Sequence, residues 1–490
     1  MTLTDPTRPD RPPVAADAPA PLVTDGAGRI ETHGIDHIPD GERHGRPIEL
    51  FWVWAGANVN YLSLVVSAAL VLMGLSLPQA LAVIVAGNLC WLLPGFLAVS
   101  GPAAGAPSAV ITRAMYGIRG NRIYTAISGW VISVCYFALN LAAASVAAFA
   151  LLERVGIERN PLETVLVVVA IAAVTLAISV FGHATIVRLY RPISVALIAV
   201  FAVVGASVLT VADFSYAPAA PLHGIELWAT MAAGATLIAS SPMSYTTSAD
   251  FSRYLPRTSS PVAVAGWTAL GGFLPSVLVC SIGALAATAV DMSDPQGALQ
   301  QILPGVVTPV FLLALVLGTV TVNALTAYSA GLALQAVGVR ISRSRSVLLD
   351  GAASVGLTLY GLLISTFLDT VSNVLQLTVL LLGPSVAIYA VDIVRRRNSY
   401  DGIALSDESR GSRFWFRAGF APAGTIALLA GVVAAALCVD TVYTGPVAAL
   451  TGLDLALPAG VAVSAAVHLT LSRRPAVRRA RHAGPSEHVR

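Results

Sequence analysis

Apolar stretches long enough to cross a bilayer recur along the chain, separated by short polar or Pro- and Gly-rich connections. Crossing hydrocarbon takes about 20 apolar residues in a helix. The pattern predicts twelve spans, at about 50–74, 78–99, 123–152, 163–187, 190–212, 226–247, 260–290, 306–334, 346–367, 369–394, 419–439 and 444–471. Two of them carry helix-weak polar interruptions. Span 1 holds Gly56-Ala57-Asn58-Val59-Asn60, and span 6 is expected to break near Ser240-Ser241-Pro242. Polar backbone at membrane depth survives only where protein or a cavity covers it. The two interruptions lie five spans apart, and an odd offset makes those spans run in opposite directions. That is the mark of a five-plus-five inverted repeat with paired discontinuous helices. The fold class expected is therefore an all-α polytopic membrane protein of twelve transmembrane helices, with discontinuous helices 1 and 6 and two extra helices at the end. The boundaries that follow are a disordered tail at 1–47, a first repeat at 48–215, a second at 216–397, spans 11 and 12 within 398–472, and a basic tail at 473–490.

Composition agrees: the 490 residues are 56% hydrophobic and 11% charged, against about 25% charged in soluble domains. Every basic residue is arginine, and the arginines are unevenly placed. Connections on the side of the N-terminal tail hold Arg113, Arg119, Arg122, Arg188, Arg191, Arg253, Arg257, Arg340, Arg343 and Arg345, then Arg395, Arg396, Arg397, Arg410, Arg413 and Arg417. The other side holds only Arg154 and Arg159 among acidic residues. Basic loops stay inside, so both termini are expected in the cytoplasm and the protein in the plasma membrane. Nothing points to nucleic acid as a partner. The four cysteines, Cys90, Cys135, Cys280 and Cys438, lie in apolar runs without metal-ligand spacing. No His-Glu-x-x-His, Walker or Gly-x-Ser-x-Gly motif occurs, so no catalytic chemistry is expected.

What collects in the span centres is uncharged. Span 1 supplies Asn58, Asn60 and Tyr61; span 3 supplies Tyr136 and Asn140 on one helix face; span 6 supplies Ser240, Ser241, Ser244 and Tyr245; span 8 supplies Thr321, Asn323 and Thr326. Rings and amides suit a flat, neutral, hydrogen-bonding ligand. Singly, each of these residues is an ordinary interhelical hydrogen bond; their convergence on four spans points to a site. Asp392 is expected at the membrane interface, with no carboxylate in the span centres. Asp250 and Arg253, three apart, are expected to cap and pair after span 6.

Four ordered motifs then carry a family resemblance. Ile35-Asp36-His37-Ile38-Pro39 with Glu42-Arg43-His44-Gly45, Trp54 and Asn58 resembles the leading segment of the purine–cytosine permease branch of the nucleobase–cation symporter 1 family. Gly101-Pro102-x-x-Gly105-x-Pro107 with Arg113-x-x-Tyr116-Gly117-x-x-Gly120 is similar to its loop between spans 2 and 3. Ala249-Asp250-Phe251-Ser252-Arg253-Tyr254-Leu255-Pro256 resembles its signature after span 6, and Asn323 with Tyr328-Ser329 and Gly331-Leu332 its span 8.

The resemblance implies a symporter that holds substrate between spans 1, 3, 6 and 8. Tyr136 matches the aromatic stacked on substrate, Asn140 the span 3 amide, Tyr245 the span 6 aromatic and Asn323 the span 8 amide; Asn60 and Ser244 complete the substrate set read from the residues. A cation site would use the carbonyls of Asn58, Tyr61 and Gly318 and the hydroxyl of Thr321. Position 322 is Val322, where sodium-coupled members carry a second hydroxyl. That leaves proton or sodium as the coupling ion, with no other cofactor. The function expected is import of a nucleobase of the cytosine or purine class, coupled to a cation. The alternatives are a carrier of the same fold for hydantoin, allantoin or an amino acid, and an intramembrane enzyme, which would need acids or histidines inside the membrane.

Overall fold

A computed structural model describes residues 26–292, 295–363, 367–440 and 443–472. Every extended element in them is a helix. Twelve helical stretches stand at the expected spans: Ile48–Asn58 with Tyr61–Leu72, Leu77–Ala104, Arg113–Glu153, Pro161–Phe181, His183–Leu209, Gly224–Ser244, Pro261–Ala286, Val307–Ala336, Arg343–Leu363, Phe367–Arg396, Pro422–Cys438 and Ala456–Leu471. Among the described residues, eight helices, or nine with the bent first pair, are long and apolar enough to cross a membrane by length and composition.

Span 1 breaks where its sequence is weakest. The halves meet at 63°. Asn58 turns its amide back onto the Trp54 carbonyl at 2.8 Å, and Asn60 takes an extended backbone that starts the second half. The Asn60 side chain caps that half, accepting from the Ser63 N–H at 3.1 Å while donating to the Ala57 carbonyl at 2.9 Å. An N-cap asparagine satisfies donors that a helix start leaves orphaned. Span 6 breaks later than the serine–proline run suggested. Its helix continues through Pro242 to Ser244, unwinds at Tyr245, and re-forms as the short helix Ala249–Ser252.

The spans pack as two groups. Span 7 lies against both halves of span 1 and against span 2, which also packs on span 6. Spans 3, 4, 8 and 9 pack on one another in the second group. Span 5 bridges the two: its Ser194 hydroxyl donates to the Trp52 carbonyl at 2.8 Å, and its Tyr190 hydroxyl to the Thr321 carbonyl at 2.5 Å.

The expectation of a disordered stretch to residue 47 fails for residues 26–47, which pack over one face of the bundle, here termed the N-terminal face. Glu31 and Arg43 are buried on partners far away in sequence, so a polar composition does not keep this segment off the bundle. Ile38 is fully buried and donates its N–H to the Gly105 carbonyl at 2.8 Å. Arg43 reaches the carbonyls of Ile38 and Pro102 at 3.0 and 2.7 Å. Gly105 ends a helix at φ +59°, a conformation that favours glycine, and a Cβ there would lie 2.9 Å from the Ile38 carbonyl. Residues 1–25 and the expected basic tail at 473–490 lie outside the described residues.

Candidate functional site

A cavity opens where the break of span 1 faces spans 3, 6 and 8. Asn60, Tyr136, Asn140, Ser244 and Tyr245 line it, together with Val322, Leu325 and Thr326 from span 8. Among the described residues no charged side chain does. Its volume is ≈ 80 Å³, where one water needs roughly 10–15 Å³; the space suits a small ring compound.

The two tyrosines are held differently. Tyr136 is anchored by its hydroxyl, 3.1 Å from that of Thr378 in span 10. Tyr245 stacks on Trp91 at 5.3 Å and meets Trp54 edge-on at 4.8 Å. The amides divide as well. Asn60 is committed to capping. Asn140 makes no hydrogen bond among the described residues and is 7% exposed, so its donors and acceptor remain for a ligand. Asn323, expected to read the ligand's edge, does not line the cavity: it is fully buried, and its amide donates to the Phe137 carbonyl at 2.9 Å, tying span 8 to span 3. Span 8 is buried on nearly every side, so a polar position along it carries no sign of which neighbour it faces.

The rest of the polar lining is hydroxyl. Ser63, Ser128, Ser133, Ser276 and Ser329 join Ser240, Ser241, Thr247 and Thr326. The first four escaped sequence reading, because isolated serines in apolar helices are common packing residues, and Ser329 was named only within the span 8 motif.

The residues expected around a cation come together only in part. The Thr321 hydroxyl lies 2.7 Å from the Gly56 carbonyl and 2.6 Å from that of Gly318. A Cβ at Gly318 would sit 2.2 Å from the Val59 carbonyl, so glycine here lets span 8 close on the break of span 1. The carbonyl that span 1 brings to Thr321 is thus that of Gly56 rather than of Asn58 or Tyr61. Val322 turns an apolar wall to the cavity and supplies no oxygen.

Below the cavity the N-terminal face is tied shut through Glu31. One of its oxygens accepts from Arg253 at 2.8 Å, from the Tyr254 hydroxyl at 2.7 Å and from the Tyr328 hydroxyl at 3.0 Å. The other accepts from the His183 N–H at 2.8 Å, with Arg343 3.5 Å away. Burial alone would raise this carboxyl; Arg343 and Arg253 override it and hold it near 2, below the usual 4.5. Arg253 therefore pairs with Glu31 and not, as expected, within its own turn. Asp250 instead accepts from the Ser108 N–H at 2.7 Å, and burial lifts it from 3.8 to about 6. Asp392, expected at the interface, is buried on span 10 between Arg396 at 2.7 Å and the Tyr400 hydroxyl at 2.9 Å.

A family model described as permease for cytosine/purines, uracil, thiamine, allantoin matches residues 37–456. The chain belongs to this permease family. It is a transporter and not an enzyme. A protein of Bacillus subtilis (strain 168) named as a purine-cytosine permease, YxlA, is 27% identical over 465 residues, covering 91% of this chain and 96% of that one. Among solved structures, Mhp1, a nucleobase-cation-symport-1 family transporter, matches in a closed conformation with bromovinylhydantoin bound. The TM-score is 0.72 at 18% identity, over 89% of this chain and 94% of that one. The inward-facing conformation of Mhp1 matches with a TM-score of 0.69 at 16% identity, over 90% of this chain and 94% of that one. These likenesses show the same fold of inverted repeats.

Proposed function

We propose that this permease is a plasma-membrane symporter that imports an uncharged nucleobase or a closely related heterocycle, with its N-terminal face in the cytoplasm. The observation that carries the reading is the cavity: walled by Tyr136 and Tyr245, with hydroxyls around it and, among the described residues, no charged side chain in its lining and no partner for the Asn140 amide. A flat neutral ring stacks on aromatic faces and is read at its edge by an amide. A carboxylate or ammonium group would be left without a counter-charge there, which is costly. The arginine-rich connections support the orientation. Transport is alternating access around the cavity, the group of spans 1, 2, 6 and 7, drawn from both repeats, rocking against spans 3, 4, 8 and 9. Val322, which supplies no side-chain oxygen beside Thr321, favours a proton over sodium as the coupling ion.

The test is uptake of labelled cytosine, adenine, uracil, hydantoin and allantoin into cells lacking their own carriers; hydantoin belongs in the set because the structural relative was solved with a hydantoin. Saturable uptake of at least one, abolished in Tyr136→Ala, is expected. Replacement of sodium by choline should leave it intact, and a protonophore should collapse it. Uptake confined to amino acids would contradict the reading.

A further inference from the structure

Span 9 carries a carboxylate that no contact described so far uses. Asp350 lies on the inward face that Ser346, Val347, Gly351, Ser354 and Thr358 form at helical spacing, while Leu348, Leu349 and Leu357 face outward. Asp350 is 0% exposed, and neither carboxyl oxygen has a partner among the described residues. This overturns the expectation that the spans hold no carboxylate away from their ends.

Its level in the seam with span 3 follows from two neighbours. The Ser354 hydroxyl donates to the Val134 carbonyl at 3.4 Å and the Thr358 hydroxyl to the Ala138 carbonyl at 3.2 Å, both across a separation of 220 residues. One turn back from Val134 on span 3 stands Trp130, whose indole N–H is also without a partner among the described residues. Trp130 belongs to Thr125–Val131, a π-helical stretch inside span 3, and such stretches frequently mark functional positions.

Other titratable groups around this seam are few or engaged. Span 3 offers Cys135 and Tyr136, the latter bonded to Thr378, and before them Tyr124, packed on Tyr116, and Arg122, bonded to Glu408. Span 4 has only Glu163, at its opposite end, and span 8 only Tyr328, held by Glu31 and Arg253. On span 9 itself Arg343, two turns away, is bonded to the Ser179 and Val180 carbonyls and faces Glu31, and Arg345 points outward.

We propose that Asp350 carries the coupling proton. This rests on the symport reading above and deepens it by naming the ion's site. An ionised carboxylate shut in a dry seam without a partner is expensive; the neutral acid is far less so. The seam between spans 3 and 9 therefore closes over a protonated Asp350 and opens to water when the proton leaves. Span 3 turns Tyr136 and Asn140 to the cavity and the Val134 and Ala138 carbonyls to this seam, so opening it moves a cavity wall. Proton binding and cavity geometry are coupled through one helix, reciprocally. The proton comes from water on one side of the membrane, binds a carboxylate oxygen, and returns to water on the other.

The direct test is pH-difference infrared spectroscopy of the purified full-length protein. Wild type should show the carbonyl stretch of a protonated carboxylic acid that Asp350→Asn lacks and Asp350→Glu shifts. In proteoliposomes with labelled cytosine or hypoxanthine as probes, Asp350→Asn should keep counterflow within about threefold and lose about tenfold or more of the accumulation driven by a pH gradient. Infrared bands that neither substitution alters, or full gradient-driven accumulation by Asp350→Asn, would overturn the proposal. Should Asp350→Asn fail to fold, the Asp350→Glu shift decides alone. Absence of counterflow of either probe in wild type would count against the substrate reading and leave the infrared result standing.

Discussion

At the residue scale, the cavity separates side chains that are available to a ligand from those that are spent on the protein. Tyr136 offers a ring whose hydroxyl is already used by Thr378. Tyr136→Phe should change apparent affinity by less than about threefold, whereas Tyr136→Ala should cost on the order of 1–3 kcal/mol; equal losses in the two variants would make the hydroxyl the contact. The amides sort in the same way. Asn140→Ala should weaken binding by about 1–3 kcal/mol with little effect on thermal stability. Asn323→Ala should do the reverse, because it removes the bond to the Phe137 carbonyl across spans 3 and 8. A crossed result in a binding and melting comparison would place Asn323 at the ligand. Polarity in a span centre was legible in the sequence; direction was not. Asn140 shares its face with Tyr136, which aims both, while Asn323 sits on a helix buried almost all around.

At the scale of elements, the break of span 1 was the most legible feature, since Asn58 and Asn60 both carry out the helix-interrupting chemistry their positions suggested. The loop after span 6 was less so. Asp250 and Arg253 are close in sequence but serve partners more than 100 residues away, Ser108 and Glu31, and such pairings leave no local signature. The Asp250 link has a pH dependence of definite sign. Its carboxyl is raised in the folded protein from 3.8 to about 6, so the folded state binds more protons in that window. Stability is then fullest below 3.8 and declines as pH rises through 6, by an amount on the order of 3 kcal/mol. Asp250→Asn, which still accepts from Ser108, should flatten melting temperature against pH across that window. A slope unchanged in the variant would assign it to other groups.

At the scale of the whole molecule, the N-terminal segment joins the beginnings of spans 5 and 9, the loop after span 6 and span 8 through one carboxylate. The twelve spans and their order were readable from hydropathy, but this seal was not. Its acid and its arginines are neutralised on one another, so a segment rich in polar residues looked like a tail. Release toward the N-terminal face requires that Glu31 let go. In a Ser329→Cys background, Glu31→Gln should increase the rate of thiol labelling from the N-terminal face by about a hundredfold or more, since removal of a buried charge partner costs roughly 3–5 kcal/mol. No change in labelling would show that the seal lies elsewhere.

The central claim is that the cavity recognises an uncharged ring. The most direct measurement is the melting temperature of the purified protein against a panel of cytosine, adenine, uracil, hydantoin, allantoin and zwitterionic amino acids, in wild type and in Tyr136→Ala. A ligand that binds only the folded state stabilises it by mass action. At least one neutral ring compound should raise the melting temperature of wild type and fail to do so in Tyr136→Ala, with the amino acids silent throughout. Stabilisation by amino acids alone, or by a ring compound equally in both proteins, would contradict it.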